Sequence, residues 1–150
     1  MNIELNNKGG LYMITLREIN KEEYGEVRAI LEKERIKDYD LSKGIVYILI
    51  DNNNIIGVGK ISLENEYGVL EYIVVKNENR GSNLGDCILR SLLFKAESIG
   101  IKEVYCLNCM DYLLGRGFKY NKKKDMGLYK LYLNIEDFFN VKSCGDIDEL

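Results

Sequence analysis

The sequence predicts an α/β fold, with one mixed, mostly antiparallel sheet of about seven strands flanked by helices on both faces. Three observations carry this expectation. Apolar residues recur at helical spacing over Lys21 to Arg35 and again over Ser82 to Ile99. Between these segments the period changes to that of strands, over Ile45 to Val75. No linker, repeat or low-complexity block divides the chain, so residues 1–150 read as a single domain. A chain of 150 residues can bury roughly two thirds of its unfolded surface, enough for one core.

The elements follow in order. Asn6 to Gly10 is a polar stretch expected to be flexible, and Leu11 to Arg17 alternates as a first strand, so order is expected from about Leu11 to Leu133. In the first helix Tyr24, Val27, Ile30 and Leu31 form the apolar stripe, with Glu22 and Glu23 in the opening turn, where the helix dipole favours acids. A short further turn is expected through Tyr39 to Leu41. Ile45 to Ile50 and Ile55 to Leu63 are strands joined by a tight hairpin at Asp51 to Asn54, and a turn at Asn65 to Gly68 leads into Val69 to Val75. The longest helix places Leu84, Ile88, Leu89, Leu92, Ala96 and Ile99 on one stripe and stops at Gly100. Val104 to Leu107 is a short buried strand, Asp111 to Gly115 a helical turn or two, and Phe118 to Lys122 with Gly127 to Leu133 a final strand pair. Asn134 to Leu150 reads as an acidic tail with one helical turn near Phe138.

Composition removes several function classes. The net charge of −3 comes with lysines and arginines spread along the chain, so nucleic acid is not an expected partner. Apolar runs such as Ile45 to Ile50 are far shorter than the ~20 residues of a membrane helix, and the polar start lacks an export signal, so the expected location is the cytoplasm. Histidine is absent, which removes the commonest general base and zinc ligand. Cys106 and Cys109 have the spacing of redox and zinc sites, yet no second pair accompanies them and no metal is expected. Cys87 and the tyrosines, among them Tyr47, Tyr129 and Tyr132 in expected strands, read as packing residues.

The stretch richest in chemistry runs from Val74 to Gly85: a buried strand, a polar loop ending in Arg80-Gly81, then the start of the longest helix. Unpaired N–H groups and a partial positive charge make such a helix start an anion site, although a plain loop capped by Ser82 fits the same residues. With the strand order above, this loop resembles that of the GNAT superfamily of acyl-CoA-dependent N-acetyltransferases. The family pattern is Arg or Gln, two residues, Gly, one residue, then Gly or Ala. Arg80 and Gly85 match its ends, and Asn83 stands at the inner glycine, as the residue that best tolerates a left-handed backbone after glycine. Asn108 and Gly117-Phe118 match a second family anchor, while the family's tyrosine position falls on Leu113, one residue after Tyr112.

The resemblance covers Leu11 to Leu133 and implies direct acetyl transfer from acetyl-CoA to a primary amine of a small molecule or peptide, with a homodimer as a compatible assembly. It implies a cofactor site made by Arg80, Gly81, Ser82, Asn83, Leu84, Gly85, Asp86 and Asn108. The backbone of Ile73, Val74 and Val75 would pair with the pantetheine arm and offer an oxyanion donor. Glu71 is the candidate base, because a carboxylate is the natural choice without histidine; an outward-facing Glu71 at a sheet edge is the other reading. Tyr112 is a candidate acid for the departing thiolate, or a packing residue. The basic run Lys119 to Lys124 fits either the 3′-phosphate of CoA or a lysine-blunted edge strand. A non-catalytic acyl-CoA-binding or partner-binding domain of the same fold is the alternative.

Overall fold

The computed structural model describes residues 2–7, 10–108 and 110–140. Their strands form one eight-stranded sheet, in the order β1-β2-β3-β4-β5-β6-β8-β7. These are β1 Asn2–Asn7, β2 Gly10–Glu18, β3 Ile45–Asp51, β4 Asn54–Leu63, β5 Gly68–Val75, β6 Glu103–Cys106, β7 Lys119–Tyr120 and β8 Leu131–Asn134. All neighbours are antiparallel except β5 and β6. The helices are α1 Tyr24–Lys33, α2 Leu84–Ser98, α3 Asp111–Leu114 and α4, residues 135–140.

All seven expected strands are present, and β1 is an addition. Order begins before Leu11, because Asn2 to Asn7 pair in register with Thr15 to Gly10. The β1 sequence does alternate, with Ile3 and Leu5 between Asn2, Glu4 and Asn6, but two apolar residues beside a polar, glycine-containing stretch are a short signal. The last two strands are shorter than expected. Residues 121–130 instead form a loop with a 3-10 turn at Lys124–Met126, and the Asn121 amide ties it together by donating to the Met126 and Tyr129 carbonyls. Tyr129 therefore lies outside any strand. The expected turn through Tyr39 to Leu41 is likewise not helical.

Two cores sit on opposite faces of the sheet. On one, α2 buries Leu84, Ile88, Leu89, Leu92, Leu93 and Ala96 against β2 to β6, while Ile99, at the end of the expected stripe, is exposed. On the other, Val27, Ile30 and Leu31 of α1 pack on Val46, Ile48, Val58, Tyr72 and Val74. Gly59 sets how closely α2 approaches: a Cβ there would stand 2.4 Å from Ile88 Cγ2 and 3.0 Å from Leu92 Cδ1. The β3–β4 hairpin turns at Asn52 and Asn53, with φ of 51° and 65°. Two successive left-handed residues suit the right-handed strand twist, which is why asparagine serves here.

A buried ion pair braces the segment after α1. Lys60 Nζ donates to both carboxylate oxygens of Asp38 at 3.0 Å and to the Asp40 carbonyl at 2.9 Å, and Tyr72 Oη donates to Asp38 at 2.6 Å. The Lys60 and Asp38 side chains are 7% and 5% exposed. Burial alone would raise the Asp38 carboxyl, but the bonds from Tyr72 and Lys60 outweigh it and hold the group below the ordinary carboxylate range.

Candidate functional site

The site originates in the pairing of β5. Its parallel contact with β6 is confined to Gly68 and Val69, opposite Val104 and Tyr105. Beyond that point the two strands are no longer partners, and a cleft of about 610 Å³ opens beside β5. On its other side β5 stays paired with β4 as far as Val75, with a register shift between Lys60 and Ile61 that leaves Glu71 as the additional residue of a bulge.

Alternation along β5 identifies the groups at the open edge. The Lys76 amide donates to the Ile56 carbonyl at 2.9 Å. In an antiparallel ladder that parity turns Val74 and Tyr72 toward β4, and turns the main-chain groups of Ile73 and Val75 to the open side. Ile73 and Val75 line the cleft, as does Glu71, which is exposed at the bulge. Val74 does not: its side chain is buried beneath α1 and its main chain is committed to β4. The family resemblance implied all three residues, and which of them face the opening follows from register alone.

The loop after β5 delivers the start of α2 to the same cleft. A 3-10 turn at Asn77–Asn79 is followed by Arg80, Gly81 with φ of 101°, Ser82 and Asn83 with φ of 57° and ψ of 28°. Asn83 thus takes the left-handed conformation for which asparagine is the best substitute for glycine. Asn83→Val should cost about 1–2 kcal/mol in a denaturant melt, whereas Asn83→Gly should change little. Asn83 is the N-terminal flanking residue of α2 and makes no side-chain capping bond. Ser82 neither supplies that cap nor lines the cleft. The first N–H groups of a helix have no intrahelical acceptor, so this start offers donors and the positive end of the dipole to the cleft.

Arg80, Gly81, Asn83, Leu84, Gly85, Asp86 and Asn108 all line the cleft. The Arg80 guanidinium is used as a clamp: Nε donates to the Val75 carbonyl at 2.8 Å and Nη2 to Glu34 at 3.2 Å, joining the loop to the ends of β5 and α1. Gly85 faces Tyr112, whose hydroxyl would be 3.2 Å from an added Cβ.

In the four-residue α3 Leu113 is buried in the core, while the half-buried Tyr112 packs against that core and lines the cleft. Gly117, at φ of 104°, then reverses the chain and lets Phe118 enter the core, the physical content of the Gly-Phe anchor. The Tyr112 hydroxyl donates to Asp86 Oδ1 at 2.6 Å. Burial, and then the bond and charge of Asp86, push the phenol well above its ordinary value.

Arg116 was not anticipated. It lines the cleft, donates from Nε to Asp86 Oδ1 at 2.5 Å, and its guanidinium carbon stands 5.0 Å from the Tyr112 ring centre. The sequence offered no signal for it beyond its place beside the Gly-Phe pair. Lys123 lies elsewhere, bonded to Glu103 and to the Tyr105 hydroxyl, with its ammonium 4.4 Å from the Tyr132 ring centre. It lines a separate groove with Phe118 to Lys122. Cys106 is buried at the end of β6 and lines the cleft; Cys109, Cys144 and the tail from residue 141 lie outside the described residues. Among the described residues, no group of acids and cysteines is placed to hold a metal, and no helix is long and apolar enough to cross a membrane.

Comparison with known proteins agrees with this architecture. Residues 13–116 match the model of the acetyltransferase (GNAT) family. No curated protein sequence matches the chain. Among solved structures, an N-acetylglutamate synthase from Neisseria gonorrhoeae, complexed with coenzyme A and N-acetyl-glutamate, aligns at a TM-score of 0.69 and 15% identity over 81% of this chain. The alignment covers 35% of that synthase, about a third of its length. A GNAT-family acetyltransferase from Staphylococcus aureus Mu50 aligns at 0.66 and 21% identity, covering 81% of this chain and 99% of that one. A GNAT-family acetyltransferase from Brucella melitensis, in complex with acetyl-CoA, aligns at 0.63 and 14% identity, with 81% and 87% covered.

Proposed function

Because the chain belongs to the acetyltransferase (GNAT) family, we propose that it transfers the acetyl group of acetyl-CoA directly to a primary amine in the cleft beside β5. The observation that carries this reading is the meeting of two sets of backbone donors in one opening, the free edge of β5 and the uncapped start of α2. A diphosphate suits the second set. The main-chain groups of Ile73 and Val75 suit an amide-bearing arm and the thioester carbonyl, and an N–H there would stabilise the oxyanion by roughly 3 kcal/mol.

In the reaction the amine nitrogen attacks the carbonyl carbon, the carbon–sulfur bond breaks and CoA leaves as its thiolate. An alkylamine with a pKa near ~10.4 is almost wholly protonated at neutral pH, so a base is needed. Glu71, exposed on the cleft at the bulge, takes that proton in this reading, directly or through a water.

The thiolate proton is a different matter. Tyr112 would have to give up the proton it donates to Asp86, leaving a phenolate beside a carboxylate. We therefore assign Tyr112 to holding Asp86 and α3 against α2, and CoA leaves to solvent protonation. Tyr112→Phe should then lower kcat less than tenfold; a loss of ~10²-fold with unchanged acetyl-CoA affinity would restore the acid role. The same hydrogen bond, with Leu113 in the core, favours a second reading, an acyl-CoA-binding domain without turnover. Incubating the protein with acetyl-CoA and a panel of primary amines divides the two. Stoichiometric thiol release with an acetylated product of matching mass supports transfer, and binding of acetyl-CoA without either supports the binder.

A further inference from the structure

An acidic side chain stands where an anion is to be held. Asp86 occupies the first turn of α2 and lines the cleft, and a free carboxylate there would oppose the attraction of the helix start for a diphosphate. It is not left free. Asp86 Oδ1 accepts from the Tyr112 hydroxyl at 2.6 Å and from Arg116 Nε at 2.5 Å. The guanidinium is also held by the Tyr112 ring, 5.0 Å from its centre. Its Nη1 reaches the Gly115 carbonyl only at 3.5 Å, the long limit for such a bond. A guanidinium carries five N–H donors, more than these contacts take up. The side chain is 32% exposed.

Two arginines line the cleft among the described residues: Arg80 is drawn by its bonds to Val75 and Glu34 toward the ends of β5 and α1. Arg116 is the one held beside the first turn of α2, by Asp86 and the Tyr112 ring, with donors left over for a ligand. We propose that Arg116 is a cofactor-binding residue that cancels the charge of Asp86 and presents its remaining donors to the diphosphate of the acyl-CoA. Asp86 and Tyr112 act as positioning residues, fixing the plane of the fork before the ligand arrives and so reducing the order lost on binding. The proposal rests on the acyl-CoA reading of the cleft.

The test compares acetyl-CoA with acetyl-pantetheine, which ends before the diphosphate, using the full chain and a reactive amine, with calorimetric titration of both ligands alongside kinetics. Arg116→Ala should raise the Kd and KM for acetyl-CoA about tenfold or more, as expected on losing a hydrogen bond to a charged group. It should leave kcat/KM for acetyl-pantetheine within about twofold, because that arm never reaches the guanidinium. Arg116→Lys, which keeps the charge and much of the packing, should fall between wild type and Arg116→Ala, and adding Asp86→Asn to Arg116→Ala should recover part of the affinity. Equal losses with both substrates, or none with either, would overturn the role of Arg116. A wild type that binds the two ligands equally would overturn the cofactor reading itself, before Arg116 is considered.

Discussion

Lys60→Ala should destabilise the protein by about 3–5 kcal/mol, the usual cost of removing one member of a buried pair. At this chain length that corresponds to a fall in melting temperature of roughly 10 °C. The reason lies in what remains. Asp38 would keep its bonds from the Tyr72 hydroxyl and the Asp40 N–H but lose both contacts from Lys60, in a place where its side chain is 5% exposed. The double variant Asp38→Leu/Lys60→Met should recover much of the loss, because apolar residues of similar volume remove the desolvation cost together with the attraction. Acid separates the two proteins in a predictable direction. In wild type the Asp38 carboxyl is depressed, so its stabilising contribution is complete above the ordinary carboxylate pKa of ~3.9 and is lost only as pH falls through the lower folded value. In Lys60→Ala burial is opposed only by the bonds from Tyr72 and the Asp40 N–H, so the carboxyl titrates above its wild-type value, and the penalty is full at neutral pH and shrinks as pH falls through the variant's value. Chemical denaturation from pH 7 down to about pH 3, past the ordinary carboxylate value, reads this directly: the gap between the proteins should narrow as pH falls, and a constant gap would contradict the assignment.

The second large effect concerns chemistry. Glu71→Gln should lower kcat by about 10²- to 10⁴-fold while acetyl-CoA affinity stays close to wild type, as expected for loss of a general base that does not hold the cofactor. Glutamine keeps the size of the side chain at the bulge, so the β4–β5 register and the cleft should persist. The loss should shrink at alkaline pH, because each added pH unit below the amine pKa of ~10.4 raises the neutral fraction of the acceptor about tenfold without help from the protein. A kcat within twofold of wild type near neutral pH would exclude Glu71 as the base, and a loss that persists unchanged at high pH would point to positioning instead.

Much of the architecture was written in local pattern. Asn52 and Asn53 announce a tight hairpin because few other residues accept two left-handed conformations in succession. The stripe from Leu84 to Ala96 announces α2 because a single face of that helix meets the sheet. Asn83 was readable for the same reason as the hairpin: one backbone position demanded a residue that tolerates positive φ. What escaped depends on partners far apart in the chain. The Asp38–Lys60 pair spans 22 residues and the Arg116–Asp86 pair 30, and no periodicity relates such charges before the fold joins them. The orientation of Ile73 and Val75 relative to Val74 likewise required the register with β4. Strand β1 escaped because its alternation carries only two apolar residues, Ile3 and Leu5, and the glycine-containing stretch that follows reads as a flexible start.

The central claim is that the opening between β5 and α2 receives a diphosphate-bearing thioester, and titration calorimetry of the wild-type protein tests it most directly. Saturable one-to-one binding of acetyl-CoA is expected, with a dissociation constant between about 1 μM and 1 mM, the range in which enzymes commonly hold their substrates. Acetyl-pantetheine should bind at least about tenfold more weakly, since it lacks the charged group that the helix start and Arg116 favour. No detectable heat or saturation with acetyl-CoA at millimolar concentration would contradict the account.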